Sequence, residues 1–264
     1  MLTITDVCKT FNEGTINEKK ALSNLNLHIK AGEFVTVIGS NGAGKSTMLN
    51  VVAGVHENEQ GRIILDDQDI TRQAEHVRAR LLGRVFQDPM MGTAANMGIE
   101  ENLAMAYRRG KSRGLRWGIT KKEREHYMEM LKTLDLGLEN RMKSKVGLLS
   151  GGQRQALTLL MATLQKPKVL LLDEHTAALD PKTAHKVLEL TQQLVKRDQL
   201  TTLMITHNMK DAIRIGNRLI MMHEGRVIFD VSGEAKAQLG TADLMKKFEL
   251  ASGGEFANDR MMLG

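Results

Sequence analysis

Short apolar stretches and longer amphipathic stretches alternate along most of the chain. In the first third, LTITDV, ALSNLNLHI and RIILDD have the partial alternation of strands with one solvated face. The run FVTVIG, residues 34–39, is more continuously apolar, which predicts a strand buried on both faces and therefore central and parallel. The next stretch, KSTMLNVVAG, has helical spacing and predicts a helix that ends at Gly54.

Helical patterns dominate residues 99–166, where ENLAMAYRR, KKEREHYMEMLKTL and GGQRQALTLLMATLQ follow one another. After Pro167 strands and helices alternate again, through KVLLLDE, AHKVLELTQQLVKRD, TTLMITH and MKDAIRIG. The stretch RLIMMHEGRVIFD then predicts a hairpin with Glu224 and Gly225 at its turn.

These patterns predict one domain of the α/β class with a parallel sheet. We expect a core of about 1–90 and 166–232, with an inserted helical subdomain of about 91–165. The early strands predict an antiparallel β subdomain at the N-terminus of the core. In the tail, 233–264, we expect one helix over ADLMKKFEL and fraying beyond Gly253.

The composition suits a compact α/β domain, with 42% hydrophobic and 26% charged residues among 264. Aromatic residues make up only 3%, which disfavours a protein that stacks nucleic-acid bases. The net charge of +6 favours an acidic partner, but only weakly. Cys8 is the single cysteine, so no internal disulfide is possible and a reducing cytoplasm is the simplest location. No segment approaches the roughly 20 apolar residues that span a bilayer, so other chains must supply any spanning part.

The stretch GSNGAGKST follows the predicted buried strand and opens a predicted helix, which is the context that a P-loop requires. Its glycines let the backbone wrap around a phosphate, and the amides at the helix start face negative charge. Lys45 suits the β- and γ-phosphates, and the Ser46 hydroxyl suits Mg²⁺. The alternative is a plain glycine-rich turn with a solvated lysine. The candidate phosphate-binding residues are Gly39, Ser40, Asn41, Gly42, Ala43, Gly44, Lys45, Ser46 and Thr47.

Two adjacent carboxylates end the apolar run VLLLDE. Because open α/β sheets place ligand groups at the carboxyl ends of their strands, we expect Asp173 to hold Mg²⁺, through water. Glu174 is then available to orient and polarise the attacking water. A solvated strand end is the alternative.

The stretch LSGGQ, residues 149–153, precedes a predicted helix and presents a hydroxyl and backbone amides to an anion. This is a second phosphate site, and one chain does not need two sites for one γ-phosphate. The alternative is a helix N-terminus that Ser150 caps.

Taken in order, these motifs resemble the ATP-binding cassette (ABC) ATPases over about residues 1–230. The matching features are the P-loop, the signature LSGGQ, Gln87 in RVFQDP as the Q-loop, TAALD at 176–180 as the D-loop, His207 in MITHN as the switch histidine, and Phe11 in KTFNEG as the aromatic that stacks on adenine. The resemblance implies a RecA-like P-loop NTPase core, ATP and Mg²⁺ as cofactors, and ATP hydrolysis.

The resemblance also implies a role for each matching residue. His207 would contact the γ-phosphate and hold Glu174 and the water, and Gln87 would sense Mg²⁺ and the γ-phosphate. The signature of one subunit would close on the ATP held by the P-loop of another, in a homodimer or in a heterodimer with a similar ATPase. The residues expected to reach nucleotide in this way are Ser150, Gly151, Gly152, Gln153 and Asp180.

ABC proteins commonly have proline where this chain has His175; we interpret His175 as neutral to the mechanism, with a less rigid loop as the consequence.

Residues 107–124 carry eight Arg or Lys against one Glu. This segment is either a solvated loop and helix face or a contact for lipid headgroups or a partner, and Trp117 either anchors at an interface or packs on its own subdomain.

The resemblance favours the ATPase subunit of a bacterial importer, peripheral on the cytoplasmic face of the membrane. Its expected partners are transmembrane permease subunits and an extracytoplasmic solute-binding protein, and no nucleic acid. Free-standing cassettes of the branched-chain amino-acid and sugar importer type look similar, and PMMGTAANMGIEENLAMA is similar to an uncharacterised importer group paired with lipoprotein binding proteins. Amino acids are one plausible cargo. Two alternatives remain: a soluble ABC ATPase that acts on nucleic acid or ribosomes, and an exporter ATPase for lipid or lipoprotein.

Overall fold

The structure is a computed structural model that describes residues 1–111 and 118–251. Its strands are β1 (Leu2–Phe11), β2 (Lys19–Ile29), β3 (Phe34–Gly39), β4 (Gln60–Leu65), β5 (Gln68–Asp69), β6 (Leu82–Val85), β7 (Val169–Asp173), β8 (Thr201–Ile205), β9 (Arg218–His223) and β10 (Arg226–Ser232). Its α-helices are α1 (Lys45–Ala53), α2 (Glu75–Arg78), α3 (Ile99–Tyr107), α4 (Lys121–Lys132), α5 (Gly151–Thr163), α6 (Pro181–Asp198), α7 (Met209–Arg214), α8 (Gly233–Ala237) and α9 (Thr241–Ala251). Short 3₁₀ helices cover Leu138–Arg141 and Val146–Leu148.

The described chain divides into two compact units. The first consists of Met1–Arg78 together with the described residues from Leu200 onward, and the second is Ala79–Gln199. The predicted helical subdomain, about 91–165, lies inside the second unit, which also contains β6, β7 and α6.

The first unit holds an antiparallel sheet in the order β2-β1-β4-β5, as the alternating N-terminal patterns predict. It also holds β3, which pairs in parallel with β8 on one side and with β9 on the other. Residues Phe34 to Ile38 of β3 are all buried. The prediction of a central parallel strand is therefore confirmed. The hairpin β9–β10 is antiparallel and turns at Glu224 and Gly225, also as predicted.

The second unit pairs β6 and β7 in parallel. Helix α5 is buried along most of its length and packs against α3, α4, α6 and β6. The sequence patterns predicted α3, α4, α5, α6 and β7 of this unit, whereas β6 had no prediction. Four residues of β6 are too few for a periodic pattern to stand out from neighbouring loops.

The C-terminal tail departs from its prediction in one respect. Helix α9 covers the predicted ADLMKKFEL, and its Leu244 and Phe248 are buried against Ala212, Leu219 and Met221. Helix α8 was not predicted, because GEAKA is polar and lacks an apolar period. The fraying expected beyond Gly253 and the interpretation of Trp117 both concern residues outside the described ones.

Within the described ranges, no helix combines the length and apolar character that crossing a bilayer requires.

Candidate functional site

The phosphate-binding loop and His207 lie at the same edge of the first unit's parallel strands. Val37 of β3 and Ile205 of β8 are register partners, and the amide of Thr206 donates to the carbonyl of Val37 at 3.1 Å. Gly39 lies two residues after Val37, and His207 lies two residues after Ile205. His207 therefore stands beside the start of the loop, two residues beyond the end of β8 and not at its last position.

The loop has a backbone that only glycine accommodates at two positions. Gly39 has φ +152°, and a Cβ there would lie 2.2 Å from the carbonyl oxygen of Met222. Gly44 has φ +95°, and its Cβ would lie 2.4 Å from the carbonyl oxygen of Ala21. Because other residues would collide with the backbone here, the glycines permit the wrapped loop, as the motif predicts.

The N-terminus of α1 has the chemistry of an anion site. Its N-cap is Gly44, which has no side chain to cap the helix. The amides of the first turn and the positive end of the helix dipole therefore suit a phosphate. The buried Lys45 folds back over the loop, where its Nζ donates to the carbonyl oxygens of Gly39 at 2.7 Å and Ser40 at 2.9 Å. Ser46 is exposed on the same turn and Thr47 is half-buried. These residues fit the triphosphate of a nucleotide.

A turn far along the chain also supports this loop. The amide of Gly225, between β9 and β10, donates to the carbonyl of Ala43 at 3.0 Å, and the carbonyl of Gly225 accepts from the amide of Ser23 at 3.1 Å. Sequence analysis identified Gly225 as a turn residue and missed its contact with the loop. The Glu-Gly pair predicts a turn, but no local pattern shows that this turn contacts the phosphate-binding loop.

Phe11 ends β1 and is half-buried. The ring of His56 meets its ring edge-on, with centroids 5.2 Å apart, and the Lys9 ammonium lies 5.4 Å from the Phe11 centroid. Two neighbours thus hold the aromatic ring that the sequence resemblance assigned to adenine.

In the second unit, the parallel pair β6–β7 brings Gln87 and Asp173 to one edge. Val85 and Leu172 are register partners, and Gln87 and Asp173 follow them by two residues and one residue. Glu174, directly after Asp173, has φ +44°, which is unusual for a residue with a side chain. Backbone strain of this kind is concentrated at functional sites, which supports the prediction that Glu174 is a functional residue.

His175 is buried, with 2% of its surface exposed. Its Nε2 lies 3.0 Å from the hydroxyl oxygen of Thr191 on α6, and that hydroxyl donates to the carbonyl of Val187 at 2.8 Å. Because the hydroxyl hydrogen is used for Val187, Nε2–H donates to Thr191. Burial lowers the pKa of His175 to about 4, so the ring is neutral at physiological pH. His175 thus ties the loop after Glu174 to α6.

The signature segment begins α5 with Ser150 as its N-cap. The Ser150 hydroxyl accepts from the amide of Gln153 at 3.3 Å, and the Gln153 side chain accepts from the amide of Ser150 at 3.2 Å. Capping uses the hydroxyl oxygen as an acceptor and leaves its hydrogen for a phosphate. The capping and anion-binding interpretations of Ser150 are therefore compatible.

The D-loop packs against this helix start. A Cβ at Gly152 would lie 2.1 Å from Cγ2 of Thr183 in the first turn of α6, and a Cβ at Gly151 would make an ordinary contact with Leu179 of the D-loop at 3.4 Å. Asp180 caps α6 by accepting from the amide of Thr183 at 3.1 Å. Hydrogen bonds from the side chain and amide of Thr183 lower the pKa of Asp180. Asp180 is thus an ionised N-cap of α6.

Gln155 is a residue that sequence analysis missed. It is fully buried on α5, and its side-chain amide donates to the carbonyl of Phe86, next to Gln87, at 3.2 Å. A glutamine within the apolar face of a helix was the available signal, since buried polar groups need a partner.

Part of the basic segment 107–124 is engaged internally. Arg108 pairs with Glu123 at 2.9 Å, and Arg124 pairs with Glu100 at 2.6 Å. Arg109 donates to the carbonyl of Ala162, and burial lowers its pKa. These three side chains favour the loop and helix face over a contact for lipid headgroups or a partner, and residues 112–117 lie outside the described ones.

Among residues 1–111 and 118–251, no group of three or more His, Cys, Asp or Glu side chains lies where it could hold a metal ion. Of the candidate ligands, Ser46 in the first unit offers a hydroxyl, and Gln87 and Asp173 in the second unit offer an amide and a carboxylate oxygen. Each is an oxygen donor of the kind that Mg²⁺ binds together with water and substrate phosphates.

The family model described as ABC transporter matches residues 22–177. A tyrosine transport ATP-binding protein of Clostridioides difficile is 46% identical over 95% of this chain and 100% of its own length. A sulfate/thiosulfate import ATP-binding protein of Xylella fastidiosa is 34% identical over 85% of this chain and 61% of its own length. The dimeric post-hydrolysis structure of the ATP-binding cassette MJ0796 with ADP and Pi is 31% identical, covers 88% of this chain and 98% of its own, and has a TM-score of 0.75.

Proposed function

This chain belongs to the ABC transporter family and is an ATPase that uses ATP and Mg²⁺, and we propose that it powers the import of an amino acid through separate permease subunits. The observation that supports an amino-acid cargo is its similarity over almost its whole length to a tyrosine transport ATP-binding protein. The sequence resemblance to importers of branched-chain amino acids and of sugars is compatible with this class of cargo.

In the first unit, the proposed nucleotide site is built on the loop 39–47. The amides at the start of α1 and the Lys45 ammonium bind the β- and γ-phosphates, and the Ser46 hydroxyl is a ligand for Mg²⁺. Phe11 stacks on adenine, and His207 contacts the γ-phosphate. The position of His207 beside Gly39 supports this assignment, because both follow paired residues of parallel strands.

In the second unit, Glu174 orients and polarises the water that attacks the γ-phosphate. Asp173 and Gln87 are further candidate ligands for Mg²⁺, which neutralises charge on the phosphate oxygens. His175 does not take part in the chemistry. It holds the loop after Glu174 through its hydrogen bond to Thr191.

We propose a homodimer in which the signature of each subunit contacts the nucleotide bound to the other. The contributing residues are Ser150, Gly151, Gly152, Gln153 and Asp180. The similarity to a cassette solved as a dimer with ADP and Pi supports this arrangement. ATP binding closes the dimer, and hydrolysis with product release opens it.

The proposed partners are transmembrane permeases and an extracytoplasmic solute-binding protein. The similarity to a sulfate/thiosulfate import ATP-binding protein supports the permeases. We therefore propose a peripheral position on the cytoplasmic face of the membrane.

The catalytic proposal is tested with Glu174→Gln and Lys45→Ala in the purified chain. Glu174→Gln should retain ATP binding, lose roughly 10²-fold or more of its hydrolysis rate, and accumulate a dimer with bound ATP. Lys45→Ala should weaken ATP binding itself. Near wild-type turnover in Glu174→Gln would remove Glu174 from its role, and a Glu174→Gln chain that stays monomeric with ATP and permease would contradict the dimer.

The transport proposal is tested in proteoliposomes that contain the chain with its co-purified permease. The measurement is ATP-dependent uptake of radiolabelled amino acids supplied with the solute-binding protein, with Glu174→Gln as the inactive control. Uptake that unlabelled tyrosine or a branched-chain amino acid competes away is expected. ATP-driven export, or salt-sensitive binding of nucleic acid without membrane association, would support an alternative instead.

A further inference from the structure

Lys19 lies beside the phosphate-binding loop, although no motif in the sequence includes it. In the register of β1 and β2, Lys19 is the cross-strand partner of Phe11. Its Nζ lies 3.2 Å from the position that a Cβ would occupy at Gly42, in the middle of the loop. The Lys19 side chain therefore extends from the strand pair that carries Phe11 to the loop itself.

The hydrogen-bonding state of this ammonium differs from that of two nearby lysines. Lys9 pairs with Glu59 at 2.7 Å, and Lys45 donates to carbonyl oxygens of the loop. Lys19 is exposed, and across residues 1–111 and 118–251 it has neither an ion pair nor a hydrogen bond from its side chain. An ammonium has three N–H donors, so those of Lys19 remain available to water or to a ligand oxygen.

Position and charge together indicate the ligand group. The loop and the start of α1, whose N-cap is a glycine, attract phosphate, and an ammonium beside them adds a charge-assisted donor. An adenine base offers Lys19 no comparable anionic acceptor. On the basis of the proposed function, we propose that Lys19 donates a hydrogen bond to the phosphate chain of the bound nucleotide and is a further nucleotide-binding residue.

Lys20 is a matched control. It is the next residue on the same strand, is also exposed, and has Thr10 as its cross-strand partner. Successive side chains of a strand point to opposite faces, so Lys20 carries the same charge away from the face that Lys19 occupies. Non-specific attraction between a basic strand and ATP would affect both variants equally.

The experiment measures equilibrium dissociation constants of the purified full chain for ATP, ADP, AMP and adenosine. We compare wild type, Lys19→Met, Lys19→Arg and Lys20→Met. Lys19→Met should weaken ATP binding by roughly tenfold and leave adenosine binding unchanged, because only the phosphorylated ligands offer the acceptor. Lys19→Arg should stay within a few-fold of wild type, and Lys20→Met should match wild type for all four ligands. High salt should reduce the difference between Lys19→Met and wild type, since the contact is exposed.

Two results would overturn the inference. One is a loss of adenosine affinity in Lys19→Met equal to the loss for ATP, which would place Lys19 on the base or ribose. The other is ATP affinity in Lys19→Met equal to that of wild type. If wild-type protein binds ATP and Lys19→Met gives either of these two results, the proposed function stands and this inference falls. Failure of wild-type protein to bind ATP would instead refute the proposed function itself.

Discussion

The amide of Gly225 donates a hydrogen bond of 3.0 Å to the carbonyl oxygen of Ala43, and thereby joins the turn of the β9–β10 hairpin to the phosphate-binding loop. Gly225 also packs closely against the backbone of β2. A Cβ at Gly225 would lie 2.6 Å from the carbonyl oxygen of Ala21 and 2.7 Å from Cα of Leu22. The geometry of the loop therefore depends on a residue outside every nucleotide-binding motif.

Gly225→Ala should weaken ATP binding by roughly tenfold, about 1.4 kcal/mol, because the added methyl pushes the turn away from Ala43. Gly14→Ala is the matched control: both glycines have φ +74°, but among the described residues a Cβ at Gly14 meets nothing within 4 Å. Both variants carry the same backbone strain, and only one carries the collision. Isothermal titration with ATP measures the effect. Equal ATP affinities in the two variants would show that the turn does not support the loop.

Gly152→Ala should destabilise the protein by about 1–3 kcal/mol, because its Cβ would overlap Cγ2 of Thr183. Gly151→Ala, one residue earlier, should be neutral or stabilising, since its Cβ makes an ordinary contact and alanine favours helix. The double variant Gly152→Ala/Thr183→Ser should recover most of the loss, because serine lacks the colliding methyl. Urea unfolding midpoints measure all of these variants. No recovery in the double variant would contradict this packing contact.

His175→Pro should retain turnover within a few-fold of wild type but lose about 1–3 kcal/mol of unfolding free energy. The physical reason is that His175 is buried and hydrogen-bonded to Thr191, and it does not face the chemistry. A double-mutant cycle with Thr191→Val isolates the hydrogen bond from other effects of the substitution. Abolished turnover in folded His175→Pro would show that His175 has a catalytic role.

Lys236 makes the free energy of unfolding depend on pH in the alkaline range. Its buried Nζ donates to the carbonyls of Ile215 and Gly216, after the end of α7, and burial lowers its pKa to about 8 from 10.5. Between these values the unfolded chain retains a proton that the folded chain has released, so this group increases stability as pH rises from about 8 to about 10.5. Below pH 8 it adds no pH dependence.

Lys236→Met should remove that dependence. The difference in unfolding free energy between wild type and Lys236→Met should shift in favour of wild type as pH rises through this window. Urea unfolding at a series of pH values measures it. A difference that is flat from pH 8 to 10.5 would contradict the shifted pKa.

Local features were predictable from sequence because their causes lie within a few residues. Gly54 ends α1 with φ +83°, as a glycine C-cap does, and the EG pair turns the β9–β10 hairpin. The interpretation of Ser150 as a helix cap needed only a serine before a helical pattern, and the structure adds the reciprocal bond between Ser150 and Gln153. The short β6 and the polar α8 escaped prediction, since neither is long or apolar enough to show a period.

The sequence by itself determined the α/β class, the loop 39–47 and the order of its motifs, because strand and helix periods, glycine conformation and residue chemistry act over short distances along the chain. The tertiary structure alone decided which distant residues support those motifs. His175 meets Thr191, Gly225 meets Ala43, and Lys19 reaches Gly42 only after strands pair and helices pack. Such contacts depend on strand register and packing between elements, which no local pattern encodes.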